Sequence, residues 1–143
     1  MLATAEILKE KKLKVTPQRL AIFYHLCNTK AHPSAETIYL NMLELHPTMS
    51  LATVYKTLDA LVKAKLIQQI NVGEDVYRYD ANTDTHPHII CIDCCVVKDL
   101  ELSLIPSNTR DKVEEATGFQ IISEQLFLYG LCPDCQAKSV VNN

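Results

Sequence analysis

"SLATVYKTLDALVKAKLIQQINVGEDVYRYD" (residues 50–80) changes its periodicity halfway along. In the first part Val54, Leu58, Leu61 and Val62 recur at three- and four-residue spacing behind Ser50, whose hydroxyl can cap a helix. A helix running to about Ala64 is predicted. In the second part "LIQQINV" and "VYRYD" flank "GED", the pattern of a β-hairpin. A capped helix feeding directly into a hairpin predicts a winged helix-turn-helix, provided that helices precede it.

They do. Ala5, Ile7 and Leu8 among charged residues predict a short amphipathic helix over 4–12 that ends near Leu13. "VTPQRLAIFYHLCN" opens with Thr16 as N-cap and Pro17 at the first helical position; Leu20, Ile22, Phe23, Leu26 and Cys27 then recur at helical spacing to about Asn28. Cys27 reads there as a small core residue. "HPSAETIYLNMLELHP" repeats the device, with Ser34 as cap, Ile38, Tyr39, Met42 and Leu43 facing inward, and a stop before Pro47.

In a helix-turn-helix the second helix enters the major groove by its N-terminal residues, here those that follow Ser50. The hydroxyls of Ser50 and Thr53 can bond phosphate. Tyr55 and Lys56 come next; on an isolated helix they would read as a core aromatic and a solvated helix charge.

"ANTDT" after the hairpin is polar and turn-prone and reads as a linker. The chain then divides into a winged-helix domain with hinge, 1–83, and a small α/β domain, 84–143, an α+β protein as a whole. Strands are predicted at 88–91, 96–101 and 119–129, with a helix at about 107–117 closed by Gly118. Charge divides in a similar place. Residues 1–79 hold ten Lys/Arg against seven Asp/Glu and residues 80–143 hold four against ten, so +3 and −6 make the net −3. A basic N-terminal half suits phosphate and an acidic remainder suits cations. No apolar run is long enough for a membrane span, and the charged N-terminus argues against a secretory signal, so a cytoplasmic location is expected.

In a reducing compartment six cysteines point to metal ligation or redox work rather than disulfides. Cys91-x-x-Cys94 and Cys132-x-x-Cys135 have the same spacing, and two such pairs complete the four-sulfur shell that Zn²⁺ takes in structural sites. Two disulfides or a thioredoxin-like pair are the competing readings. Cys95, beside the first pair, is an incidental neighbour or a spare thiol. The stretch "THPHIICIDCC" (85–95) also carries His86 and His88, which alternate on one side of an extended segment. With His32, Asp80 and Asp99 they make a nitrogen and oxygen set suited to Fe²⁺ or Mn²⁺. Each has a plainer reading by itself: His32 as a loop residue, Asp80 as a turn former, Asp99 as a solvated strand charge. His25 and His46 read as structural or surface residues.

"VTPQRLAIF", "AHPSAETIY", "MSLATVYKTLDAL", "HPHIICIDC" and "YGLCPDC" together resemble the ferric uptake regulators, metal-dependent bacterial repressors, over nearly the whole chain. The resemblance implies an N-terminal winged-helix domain, a C-terminal α/β dimerisation domain, and a homodimer that grips a palindromic double-stranded DNA operator when a regulatory ion is bound. Within that family the chain is most similar to the peroxide-sensing branch. Asp80 and Asp99 stand where the iron-sensing branch usually has glutamate, and His32, His86 and His88 match the other ligands.

The resemblance further implies that bound Fe²⁺ reacts with hydrogen peroxide and that His32 or His86 is then oxidised, whereas Mn²⁺ represses without that sensitivity. It places Tyr55 against thymine methyl groups, Lys56 at base edges, Lys14 in the minor groove and Arg19 on phosphate. Cys95 replaces a common glycine, "SEQLF" lacks a histidine many relatives carry, and Lys56 and Thr57 replace asparagines of some peroxide sensors. The alternatives are an iron- or manganese-responsive repressor without peroxide sensing, a His/Asp metalloenzyme, and a zinc-ribbon interaction module. The expectation is a regulator rather than an enzyme, with no small organic substrate: the sequence offers no acid or base to serve an open metal position.

Overall fold

The computed structural model describes residues 1–141. It resolves into two compact units, 1–83 and 84–143. Among the described residues no helix is long and apolar enough to cross a membrane.

The first unit is four helices and a hairpin: α1 Leu2–Glu10, α2 Pro17–Cys27, α3 Ala35–Met42, α4 Leu51–Lys63, β1 Gln68–Gly73 and β2 Val76–Asp80. Three helices start where hydroxyl caps place them. The Thr16 side chain accepts the Arg19 N–H at 3.2 Å, Ser34 that of Thr37 at 3.2 Å, and Ser50 that of Thr53 at 3.1 Å. Leu8, Ile22, Phe23, Leu26, Ile38, Val54, Leu58 and Leu61 belong to one buried cluster beneath these helices. In the turn of the hairpin Glu74 and Asp75 both have positive φ, +47° and +61°, the backbone that turns two antiparallel strands tightly. The register pairs Gln68 with Asp80.

One expectation fails here. Cys27 is exposed, because α2 buries Ile22, Phe23 and Leu26 and the thiol lies off that stripe. The buried side of α1 is Thr4 and Leu8, four residues apart, which turns Ile7 outward.

The second unit contains β3 His88–Cys91, β4 Val97–Asp99, a 3₁₀ turn Leu102–Leu104, α5 Thr109–Thr117, β5 Phe127–Gly130 and α6 Pro133–Val141. β3 is central, antiparallel to β4 and parallel to β5. Gly118 closes α5 in the left-handed conformation, φ +73°. The strand expected over 119–129 is confined to Phe127–Gly130. The Ile121 backbone is taken by α5 side chains instead: its N–H donates to Glu114 Oε1 at 2.6 Å and its carbonyl accepts from Arg110. Pairing over 96–101 contracts to Val97–Asp99, and the Leu100 N–H goes to the Pro87 carbonyl at 2.8 Å. Helix α6 was not foreseen in the tail; Pro133 begins it.

Candidate metal centres and nucleic-acid interface

The four sulfurs of Cys91, Cys94, Cys132 and Cys135 lie within 4.8 Å of one another. The fold assembles them from both ends. Cys91 ends β3, and the Cys95 N–H returns to the Cys91 carbonyl at 3.0 Å, a turn that brings Cys94 round. Parallel pairing of Cys91 with Gly130, and the Ile92 N–H on the Gly130 carbonyl at 2.9 Å, deliver Cys132 and the start of α6. All six cysteines are free thiols, and Cys94 Sγ stands 3.7 Å from Cys132 Sγ. That is far beyond a disulfide. It matches the edge, roughly 3.8 Å, of a tetrahedron with Zn–S bonds of about 2.3 Å.

The Cys132 backbone N–H, 3.4 Å from Cys91 Sγ, leads the hydrogen bonds that bring the Cys91 thiol down to about 6. Asp93, then Cys132, push the Cys135 thiol up. The hydrogen bonds thus favour the thiolate at Cys91 and the thiol at Cys135, and a cation held by all four sulfurs would displace the protons that remain. Cys95 sits at φ +60°, a left-handed backbone that favours glycine, so the turn is kept here by a residue strained into it.

The nitrogen and oxygen donors are built separately in each unit. In the first, the Tyr79 N–H bonds the Pro33 carbonyl at 3.1 Å and lays the end of β2 against the segment before α3. His32 Nε2 then lies 3.3 Å from Asp80 Oδ2, both groups buried. The Asn82 N–H donates to Asp80 Oδ1 at 2.8 Å. Gln68 Nε2 reaches Asp80 Oδ2 at 3.4 Å and the Asn82 carbonyl at 2.6 Å. Gln68 escaped the sequence reading; counting the hairpin register back from "GED" finds it.

In the second unit His88 and Asp99 are direct cross-strand partners. Asp99 Oδ1 lies 3.2 Å from His88 Nε2 and 3.1 Å from His86 Nε2, and the two rings are 4.3 Å apart. His86 Nδ1 is 2.6 Å from the Asp84 carbonyl, which can only accept, so Nδ1 carries the proton. In a neutral ring Nε2 therefore turns a lone pair toward a carboxylate oxygen, an arrangement that calls for a cation or a second proton between them. The donor set fits Fe²⁺ or Mn²⁺ better than a thiolate-loving ion.

On the N-terminal turns of α4, Ser50 Oγ and Thr53 Oγ1 are 2.9 Å apart, and Tyr55 and Lys56 are exposed. The Tyr55 hydroxyl donates to Glu36 Oε1 on α3 at 2.6 Å. Lys14 is exposed just before α2, and Arg19 Nη1 donates to its carbonyl at 2.7 Å. Arg19 therefore gives one donor to fixing the Lys14 backbone. Nothing in the local sequence singled out Glu36.

Residues 10–129 match the model of the ferric uptake regulator family. The chain is 50% identical over 133 residues to the transcriptional regulator PerR of Clostridium acetobutylicum, covering 93% of this chain and 96% of that one. It is 36% identical over 137 residues to the peroxide operon regulator of Bacillus subtilis, with 93% and 91% covered. Among solved structures it resembles the peroxide stress regulator of Campylobacter jejuni at a TM-score of 0.73 and 30% identity, covering 91% and 97%. It also resembles the ferric uptake regulator of Pseudomonas aeruginosa with manganese, at 0.76 and 29%, covering 93% and 99%. On this match and the two donor chemistries it carries, the chain belongs to the ferric uptake regulator family.

Proposed function

We propose that the protein is a metal-dependent DNA-binding repressor that senses hydrogen peroxide, rather than an enzyme, and acts in the cytoplasm as a homodimer on a palindromic operator. The winged-helix unit, 1–83, would bind the DNA and the α/β unit, 84–143, would dimerise. Cys91, Cys94, Cys132 and Cys135 would hold structural Zn²⁺. His32, Asp80, His86, His88 and Asp99 would together hold Fe²⁺ or Mn²⁺, so that one ion ties the two units and fixes the dimer in its DNA-binding form. The observation that carries this reading is the pair of imidazole nitrogens His86 and His88 converging on one Asp99 oxygen at 3.1 and 3.2 Å, in a chain half identical to a PerR regulator.

Fe²⁺ held there would supply the one-electron chemistry that opens the peroxide O–O bond, with the imidazole as the net two-electron reductant. The chain's part is to hold His32 and His86 where one oxygen can enter an imidazole C–H bond, the second leaving as water. Asp84 keeps the His86 proton on Nδ1 and so leaves Nε2 as the ligand atom. A histidine oxidised in this way would lose basicity, so His32 and His86 would hold the ion less well and the DNA-binding form would be lost. A single loss per protein separates this sensor from a metalloenzyme, which would turn over.

On α4, Ser50 and Thr53 would bond phosphate, Tyr55 would meet thymine methyl groups and Lys56 base edges, with Lys14 in the minor groove and Arg19 near phosphate. The test is mass spectrometry of the Fe²⁺-loaded protein after low peroxide, alongside DNA binding. One added oxygen on peptides containing His32 or His86, with loss of DNA binding, is expected, and the Mn²⁺-loaded protein should show neither. Metal-dependent DNA binding without added oxygen would instead indicate an iron- or manganese-responsive repressor.

A further inference from the structure

We propose that Glu36, on α3, is the positioning residue that fixes the Tyr55 ring for base reading, so that part of the sequence discrimination of α4 is set from the neighbouring helix. This rests on the reading of α4 as the recognition helix. An exposed tyrosine on a helix surface ordinarily samples several rotamers. Tyr55 is 45% exposed, yet its hydroxyl is bonded at 2.6 Å to a carboxylate nineteen positions earlier in sequence. A short bond to a charged acceptor selects one rotamer and one ring plane.

The carboxylate is itself anchored. Glu36 lies in the first turn of α3, whose Ser34 cap is made, and α3 packs on α4. The two groups perturb each other accordingly. The bond to Glu36 leads the causes that push the Tyr55 phenol up to about 12, and the bond from Tyr55 leads those that hold the Glu36 carboxyl below its ordinary range.

The charge argues in the same direction. A carboxylate beside a surface meant for phosphate opposes binding to any duplex, so its presence there calls for a compensating use. With its proton committed to Glu36, the Tyr55 hydroxyl has no donor left for phosphate, and the ring is what remains to contact a base. Removing Glu36 should therefore move two quantities in opposite directions. Affinity for arbitrary DNA rises as a negative charge disappears, while the preference for the right sequence falls as the ring loosens. A merely structural role would lower both together.

The test uses the full, metal-loaded chain. A random duplex library is first enriched on the wild-type protein; the enriched duplex and a scrambled duplex of equal composition are then titrated by fluorescence anisotropy. Glu36→Ala should bind scrambled DNA at least as well as wild type and lose roughly 3- to 10-fold in the ratio of the two affinities, the range for one hydrogen bond. Glu36→Gln, which keeps an oxygen acceptor, should retain the ratio. Tyr55→Phe should lose as much as Glu36→Ala, and the double variant no more than either. A wild-type ratio in Glu36→Ala, or additive losses in the double variant, would overturn the proposal. Should Glu36→Ala fail to fold, Tyr55→Phe against Glu36→Gln decides: equal, undiminished ratios reject it. A wild-type protein that enriches no duplex removes the DNA reading itself, and the role of Glu36 with it.

Discussion

Removal of the four-sulfur ion should unfold the second unit and leave the first folded. The first unit buries a cluster of thirteen hydrophobic residues, Leu8 and Leu61 among them. In the second, the buried hydrophobic residues among those described are Ile90, Val97, Cys91 and Cys135, and two of these are sulfur donors. Full burial of two aliphatic side chains contributes about 3–6 kcal/mol. A structural zinc contributes about 10–16 kcal/mol to a small domain near neutral pH, so the metal is the larger effect.

The perturbation is Cys94→Ser, or chelation of the wild-type protein at neutral pH, followed by residue-resolved hydrogen exchange. Amides bonded between β3 and β5, with that of Ile92 on the Gly130 carbonyl, should lose at least about a hundredfold in protection, the equivalent of roughly 3 kcal/mol. The α4 amides should keep theirs. If the Ile90 and Ile92 amides exchange as slowly after chelation as before, with four extra thiols then open to alkylation, the small apolar core suffices and the reasoning is wrong.

Gln68→Ala should weaken Mn²⁺ binding by about tenfold in calorimetry without changing the fold, because Asp80 loses a partner that orients its Oδ2. Ser50→Ala should cost about 1 kcal/mol in the thermal unfolding of the first unit, since the Thr53 N–H loses its cap. Cys95→Gly should stabilise the metal-loaded second unit by about 1 kcal/mol, relieving a side chain held at φ +60°; an unchanged melting temperature would place no strain at that turn. The stability difference between wild type and Tyr55→Phe should be flat in mid-range pH and shrink at both ends. Tyr55 is raised from 10.0 to about 12, so its contribution is present below 10 and fades as pH rises through that interval. Glu36 is lowered from 4.5, so its contribution is present above 4.5 and is lost as acid protonates the carboxylate. Chemical denaturation across pH checks both arms.

What was legible in the sequence is what is decided locally. Thr16, Ser34 and Ser50 announce their helices because a hydroxyl three residues ahead of an N–H needs no distant partner. The Cys-x-x-Cys pairs and the His86/His88 alternation show for the same reason: each geometry is complete within a few residues. Residues 119–126 misled because Glu114 and Arg110, one helix away, capture the Ile121 backbone that a ladder would otherwise use. Cys27 misled because a helical stripe has an edge that spacing alone does not locate.

The donors divide along the same line. That His88 meets Asp99 depends on a strand register, and that His32 meets Asp80 depends on a single backbone bond, Tyr79 to Pro33. Neither is visible in residue types. Yet each unit brings imidazole nitrogen to carboxylate oxygen at 3.1 to 3.3 Å by itself. Part of the ordering that a regulatory ion would otherwise have to impose is therefore already present in the residues proposed to hold it, and in each unit a charge-compensating cation would find a carboxylate already held against an imidazole.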